Sequence, residues 1–198
     1  ENLFCKSLKP NIMFKNLFFS RRLNIVALFL AVFLFNLQSS VGQITLSTSP
    51  YTENFNGISG GLPTGWTVRT GATASNLGTT VSLVTAATAW GGTTGQFQNS
   101  ASANTPSASG DNSATQSGRS DRALAVRQVG TFGDPGAAFI LQIANTTGFN
   151  TFSLSFNLMQ LDPATSGRTT TWNVDYGFGA TPTSFTDATT SPASLTVT

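Results

Sequence analysis

The chain predicts an all-β protein, an antiparallel sandwich-type domain preceded by an N-terminal signal-peptide helix. Three observations carry this reading. Apolar and polar residues alternate with period two along several segments, most clearly along Phe152, Leu154, Phe156 and Leu158. Clusters of Gly, Pro, Asn, Asp and Ser punctuate those segments at short intervals. Stretches rich in Leu, Glu and Lys, which would favour helix, are missing after residue 42.

The first element is the export signal. Lys15, Arg21 and Arg22 precede an unbroken apolar run, Ile25 to Phe35, and Ser40-Val41-Gly42 follows a short polar stretch. The run is 11 residues long, short of the ~20 that a helix needs to cross a bilayer. A core helix would show polar positions at helical spacing, and this run has none. A basic start, a short apolar run and small residues at −3 and −1 make a signal peptide over residues 13–42, cleaved after Gly42. The protein is therefore expected to be secreted or on the cell surface, meeting the membrane only transiently. Residues 1–12 precede the first methionine, Met13, and read as a non-native upstream extension.

Residues 43–198 then form the domain, and their charge differs from that of the whole chain. The full sequence carries a net +2, but Lys6, Lys9, Lys15, Arg21 and Arg22 all precede the cleavage site. After it stand Arg69, Arg119, Arg122, Arg127 and Arg168 against Glu53, Asp111, Asp121, Asp134, Asp162, Asp175 and Asp187, a net −2. With no lysine and no basic stripe, the domain has no electrostatic footing for nucleic acid. The one cysteine, Cys5, also lies upstream, so packing rather than disulfides must hold the fold. A domain of this size buries roughly 68–70% of its unfolded surface, which suffices.

Along the domain, weaker strands are expected at Ile44–Ser47, Tyr51–Phe55, Gly65–Arg69 and Thr80–Thr85. Ala123–Val129, with Leu124 and Val126 inward and Arg127 outward, and Ala137–Ala144, with Phe139, Leu141 and Ile143 on one face, are joined by the turn Gly133-Asp134-Pro135-Gly136. Thr151–Leu161 and Thr170–Phe178 alternate most cleanly. They are expected to pair as antiparallel neighbours, with Trp172, Val174 and Tyr176 inward. Gly91–Ser120 is almost wholly Gly, Ser, Thr, Asn, Ala and Gln, with Phe97 its one large apolar residue. It reads as a long polar surface loop or a recognition loop. Pro192–Thr198 opens a further strand at the chain end, so the domain is expected to continue beyond Thr198.

The inventory excludes most catalysis. The chain has no histidine, and its domain has neither cysteine nor lysine. That removes Ser-His-Asp and Cys-His machinery, histidine metal sites and Schiff-base chemistry. Carboxylate chemistry needs two acids flanking one bond, and the seven acids are scattered. The domain is expected not to be an enzyme and to need no cofactor. Calcium is the one metal its oxygen-rich loops suit, with Asp111 and Asn112 of Gly110-Asp111-Asn112-Ser113 as ligands, although the six to eight oxygens it takes are not spelled out by a motif. Aromatic rings stack on sugars, which marks Trp90, beside Gly91-Gly92, and Trp66 as candidate ligand-binding residues. Trp172, sharing a face with Val174, reads as core.

Two stretches resemble a known family. Tyr51-Thr52-Glu53-Asn54-Phe55-Asn56-Gly57 running to Leu62-Pro63-Thr64-Gly65-Trp66, and Ser120-Asp121-Arg122-Ala123-Leu124-Ala125, are similar to the opening and the D-R-A-L-G strand of secreted modules common in Bacteroidota. Ala125 stands where that family usually has glycine. The likeness, to choice-of-anchor and adhesin-like jelly rolls, extends over most of Tyr51–Thr198. It implies a jelly-roll-like module at the front of a larger cell-surface protein, often a type IX secretion substrate, with further domains downstream. It carries over no catalytic residue. The expected function is a non-enzymatic binding or adhesion module with an extracellular polysaccharide or surface partner. The alternative is a structural spacer or folding cap ahead of a downstream catalytic or repeat domain.

Overall fold

Short runs of Val, Ile, Thr and aromatic residues between turn formers favour strands, and the chain follows that preference. A computed structural model describes residues 42–46, 50–89, 91–102, 112–145, 148–159, 169–193 and 195–197, all within the unit Val41–Thr198. The signal-peptide reading, up to residue 41, falls outside them, as do Trp90 and Asp111. Among the described residues the protein is mostly β, in several small sheets, with one short α-helix and a 3-10 turn at Ile58–Gly60.

Two three-stranded sheets form the centre. In the first, β2 (Trp66–Thr70) lies between β3 (Thr79–Thr80) and β7 (Ala138–Leu141), with Val68 opposite Phe139. In the second, β5 (Gln96–Ala101) lies between β4 (Leu83–Ala87), parallel to it, and β6 (Arg122–Arg127), antiparallel. Three two-stranded pairs complete the strands. β1 (Ile44–Thr45) runs parallel to β8 (Ile143–Asn145), β9 (Thr170–Trp172) pairs with β12 (Leu195–Val197), and β10 (Asp175–Tyr176) pairs with β11 (Thr186–Asp187).

Aromatic rings join these sheets. Phe97 of β5 is fully buried and meets Phe132 and Phe139 edge-on at 5.8 and 5.5 Å. Phe139 in turn stacks on Trp172 at 5.4 Å. Such pairs add ~0.5–1.5 kcal/mol each to the burial of their area. Phe139, Leu141 and Trp172, expected as core, are half-buried, while the buried apolar residues among those described are Ile58, Val68, Phe97 and Ala101.

Turn chemistry explains the Leu62–Trp66 motif. The Trp66 amide donates to Pro63 O at 3.0 Å, and Gln142 N donates to Gly65 O at 2.8 Å. Gly65 is buried at φ +82°, and a Cβ there would stand 2.6 Å from Ile44 Cγ1 and 3.1 Å from Gln142 O. Only glycine fits both the backbone angle and the close approach.

Several expectations need correction. Residues 151–159 belong to no strand, and Phe152, Leu154 and Phe156 are 55, 62 and 48% exposed. The expected partner splits into β9 and β10, which pair instead with β12 and β11, and Tyr176 is exposed. Period-two patterning states which side chains can share a face, but the choice of backbone partner is non-local. Tyr51–Phe55 is likewise not a strand. The Phe55 amide donates to Glu53 Oε1 at 2.7 Å and Phe55 itself sits at φ +58°, a local turn that replaces ladder bonding. Finally, Gly91–Ser120 is not all loop. It contains β5, the most deeply buried strand, and α1 (Ser113–Ser117).

Candidate functional site

β5 reads Gln-Phe-Gln-Asn-Ser-Ala, and Phe97 to Ala101 are all buried. Buried amides and hydroxyls must find partners, since each left unpaired costs ~1–3 kcal/mol. On one face Gln98 Nε2 donates to Ser100 Oγ at 3.1 Å. On the other, Asn99 Nδ2 donates to Thr85 O of β4 at 2.7 Å. Asn99 Oδ1 then accepts Arg122 Nε at 2.7 Å.

Arg122 is the centre of this arrangement. It opens β6 opposite Ala101, and only 7% of its surface is exposed. Its Nη2 donates to Asn99 O at 3.1 Å. Its Nη1 donates to Arg119 O at 3.3 Å and, more closely, to Gln116 O. Its own amide donates to Asn56 Oδ1 at 2.8 Å, which fixes the segment before the 3-10 turn against β6. Every side-chain acceptor is a neutral oxygen. Burial lowers the proton affinity of Arg122 from the ordinary arginine value, yet a guanidinium stays charged in a protein.

α1 braces the same corner. Asn112 caps it, its Oδ1 accepting Thr115 N at 2.9 Å and Thr115 Oγ1 at 3.2 Å. Gln116 is fully buried, its Oε1 accepting Ala101 N at 2.8 Å while its Nε2 finds no partner. Nearby, Ser102 Oγ donates to Asp121 Oδ2.

Arg122 also lines an open groove of about 560 Å³. Its walls come from five segments: Asn56 and Ser59, Thr85 to Ala87, Asn99, Ser117 to Ser120 including Arg119, and Arg122. The lining combines two guanidinium groups, two amides, several hydroxyls and two alanine methyls. Such a surface can hydrogen-bond a polyol and let the apolar face of a ring rest on the methyls.

Of the residues singled out from sequence, the two that are described, Trp66 and Asn112, do not line this groove. Trp66 opens β2, half-buried, its Nε1 donating to Tyr51 Oη at 3.1 Å and its ring meeting Phe55 edge-on at 5.0 Å. Asn112 spends its side-chain oxygen on the helix cap. Trp90 and Asp111 lie outside the described residues. Among the described residues no group of three or more carboxylate or cysteine side chains is placed to hold a metal ion. A second electrostatic feature is the direct opposition of Asp175 and Asp187 across β10–β11. Partial burial, the hydrogen bond that protonated Asp175 donates to Asp187, and the charge of Asp187 push the Asp175 carboxyl above its ordinary value.

Sequence reasoning assigned Arg122 no site role, although it stands in the stretch Asp121-Arg122-Ala123-Leu124 that carries the family likeness. A polar strand such as β5 gives no amphipathic signal, so the pattern did not show that Arg122 satisfies it. No helix of the described residues is long and apolar enough to cross a membrane. No family model, curated protein or solved structure matches the chain.

Proposed function

We propose that the chain is a non-enzymatic binding module of an exported protein, folded as a jelly-roll-like sandwich and taking an extracellular polysaccharide in the groove that Arg122 lines. The observation that carries this is the lining itself: amides, hydroxyls and guanidinium donors from five segments around an open floor with two alanine methyls. Carbohydrate recognition needs that mixture, many hydrogen bonds at fixed positions beside a small apolar surface. The signal-peptide pattern and the likeness to secreted surface modules support export.

Affinity electrophoresis of the secreted protein through gels containing neutral and acidic polysaccharides tests the reading. At least one polymer should retard the protein, and Ala86→Trp, which fills the groove from an exposed position, should restore free mobility. Retardation by none of them would leave the alternative, a spacer or folding cap. One observation favours that alternative: the exposed apolar side chains of Phe152, Leu154, Phe156 and Met159 suit cover by a neighbouring domain.

A further inference from the structure

We infer that the groove selects an anionic glycan, one carrying a singly charged oxyanion, either a uronate carboxylate or a sulfate ester, at Arg122. The inference rests on reading the groove as a polysaccharide site and names the class of polymer it takes. Arginine has five N–H donors, and four are used: Nε on Asn99 Oδ1, two from Nη1 on Gln116 O and Arg119 O, and one from Nη2 on Asn99 O. One Nη2 donor remains without a partner among the described residues, and Arg122 is one of the residues that line the groove.

Dipoles of neutral oxygens partly solvate the cation but leave its charge uncancelled. A buried charge of this kind is costly unless an opposite charge meets it. An oxyanion arriving in the groove supplies both the missing charge and an acceptor for the last donor. Charge-assisted bonds of this type are about twice as strong as neutral ones. Arg122 and, beside it in the lining, Arg119 supply the positive charge an oxyanion needs, and Asn56, Ser59, Ser117 and Ser120 line the same groove for the ring hydroxyls. Since the domain carries a net −2, the attraction is local and does not depend on long-range steering.

The test compares polymers that share a backbone and differ in charge. Affinity of the secreted protein is measured for polygalacturonate against its fully methyl-esterified form, and for dextran sulfate against dextran. At least one acidic polymer should bind about ten- to a hundredfold more tightly than its uncharged partner, and the arm that does so identifies the oxyanion. Ser120→Glu, at an exposed position on the groove wall, should abolish that preference with the fold intact by circular dichroism. Equal binding of charged and uncharged partners overturns the inference and leaves the polysaccharide reading standing. Binding to none of the four overturns both. An acidic preference that survives Ser120→Glu places the anion elsewhere and also overturns the inference.

Discussion

Asn99 receives Arg122 Nε at 2.7 Å while its own amide donates to Thr85 O at 2.7 Å, so one side chain ties all three strands of its sheet together. Asn99→Ala removes an acceptor from a buried cation and a donor from a backbone carbonyl. The expected loss is about 2–4 kcal/mol, because both partners are left unsatisfied. Asn99→Asp keeps an acceptor beside the guanidinium and should lose less than the alanine variant. Urea denaturation of the three proteins checks the order, and an alanine variant as stable as the parent would remove Arg122 from the structural centre.

Gly65→Ala should destabilise by about 1–3 kcal/mol, the usual cost of an L-residue held in the left-handed region. The added methyl also meets Ile44 Cγ1 at 2.6 Å, so β1 must shift. Thermal unfolding measures the loss. Gly57→Ala, with open space around its Cβ and an ordinary φ of −84°, is the control and should change little.

The Asp175–Asp187 pair predicts a pH dependence of definite sign. The Asp175 carboxyl is raised above its ordinary value in the folded state, so the fold binds its proton more tightly than the unfolded chain does. The stability from this group is therefore present below the ordinary aspartate range and is lost as pH rises through the raised folded value. Asp187→Asn removes the opposing charge and leaves an amide to donate to the carboxylate. It should lower the Asp175 titration midpoint, followed by carboxyl NMR, and flatten the pH dependence of unfolding over that window. An unchanged midpoint would mean that the two side chains do not interact in solution.

How much of this was legible follows from how local each determinant is. The turn Gly133–Gly136 and the strands about Trp66–Thr70, Arg122–Arg127 and Ala138–Leu141 could be placed because alternation and turn residues lie within a few positions of one another. β5 could not, since its buried amides are satisfied by Thr85 and Arg122, 14 and 23 residues away. The groove was illegible for the same reason. Its five wall segments meet only once β4, β5 and β6 are paired, and the aromatic residues that sequence chemistry favours lie elsewhere or outside the described residues. Phe152 to Leu158 gave the clearest pattern and the least reliable placement, because a pattern names a face and not its cover.

That contrast gives the last prediction. Pattern alone ranks Phe156, in the best alternating segment, above Phe97, an isolated ring in a polar stretch. The structure reverses the order: Phe97 is 0% exposed between two rings, whereas Phe156 is 48% exposed. Phe97→Ala should cost about 3–5 kcal/mol, as large buried aromatics do. It also removes the two edge-on contacts that join β5 to Phe132 and to Phe139 of the neighbouring sheet. Phe156→Ala should cost well under half of that, because its ring already meets water and leaves no closed cavity behind. The exposed strip also makes the protein prone to self-association, so Leu154→Lys should raise solubility with little change in unfolding midpoint. Denaturant unfolding at two protein concentrations separates the two effects. A large, concentration-independent loss for Phe156→Ala would show that residues 151–159 pack as an inward-facing strand in solution, and that the alternating pattern had named their true cover.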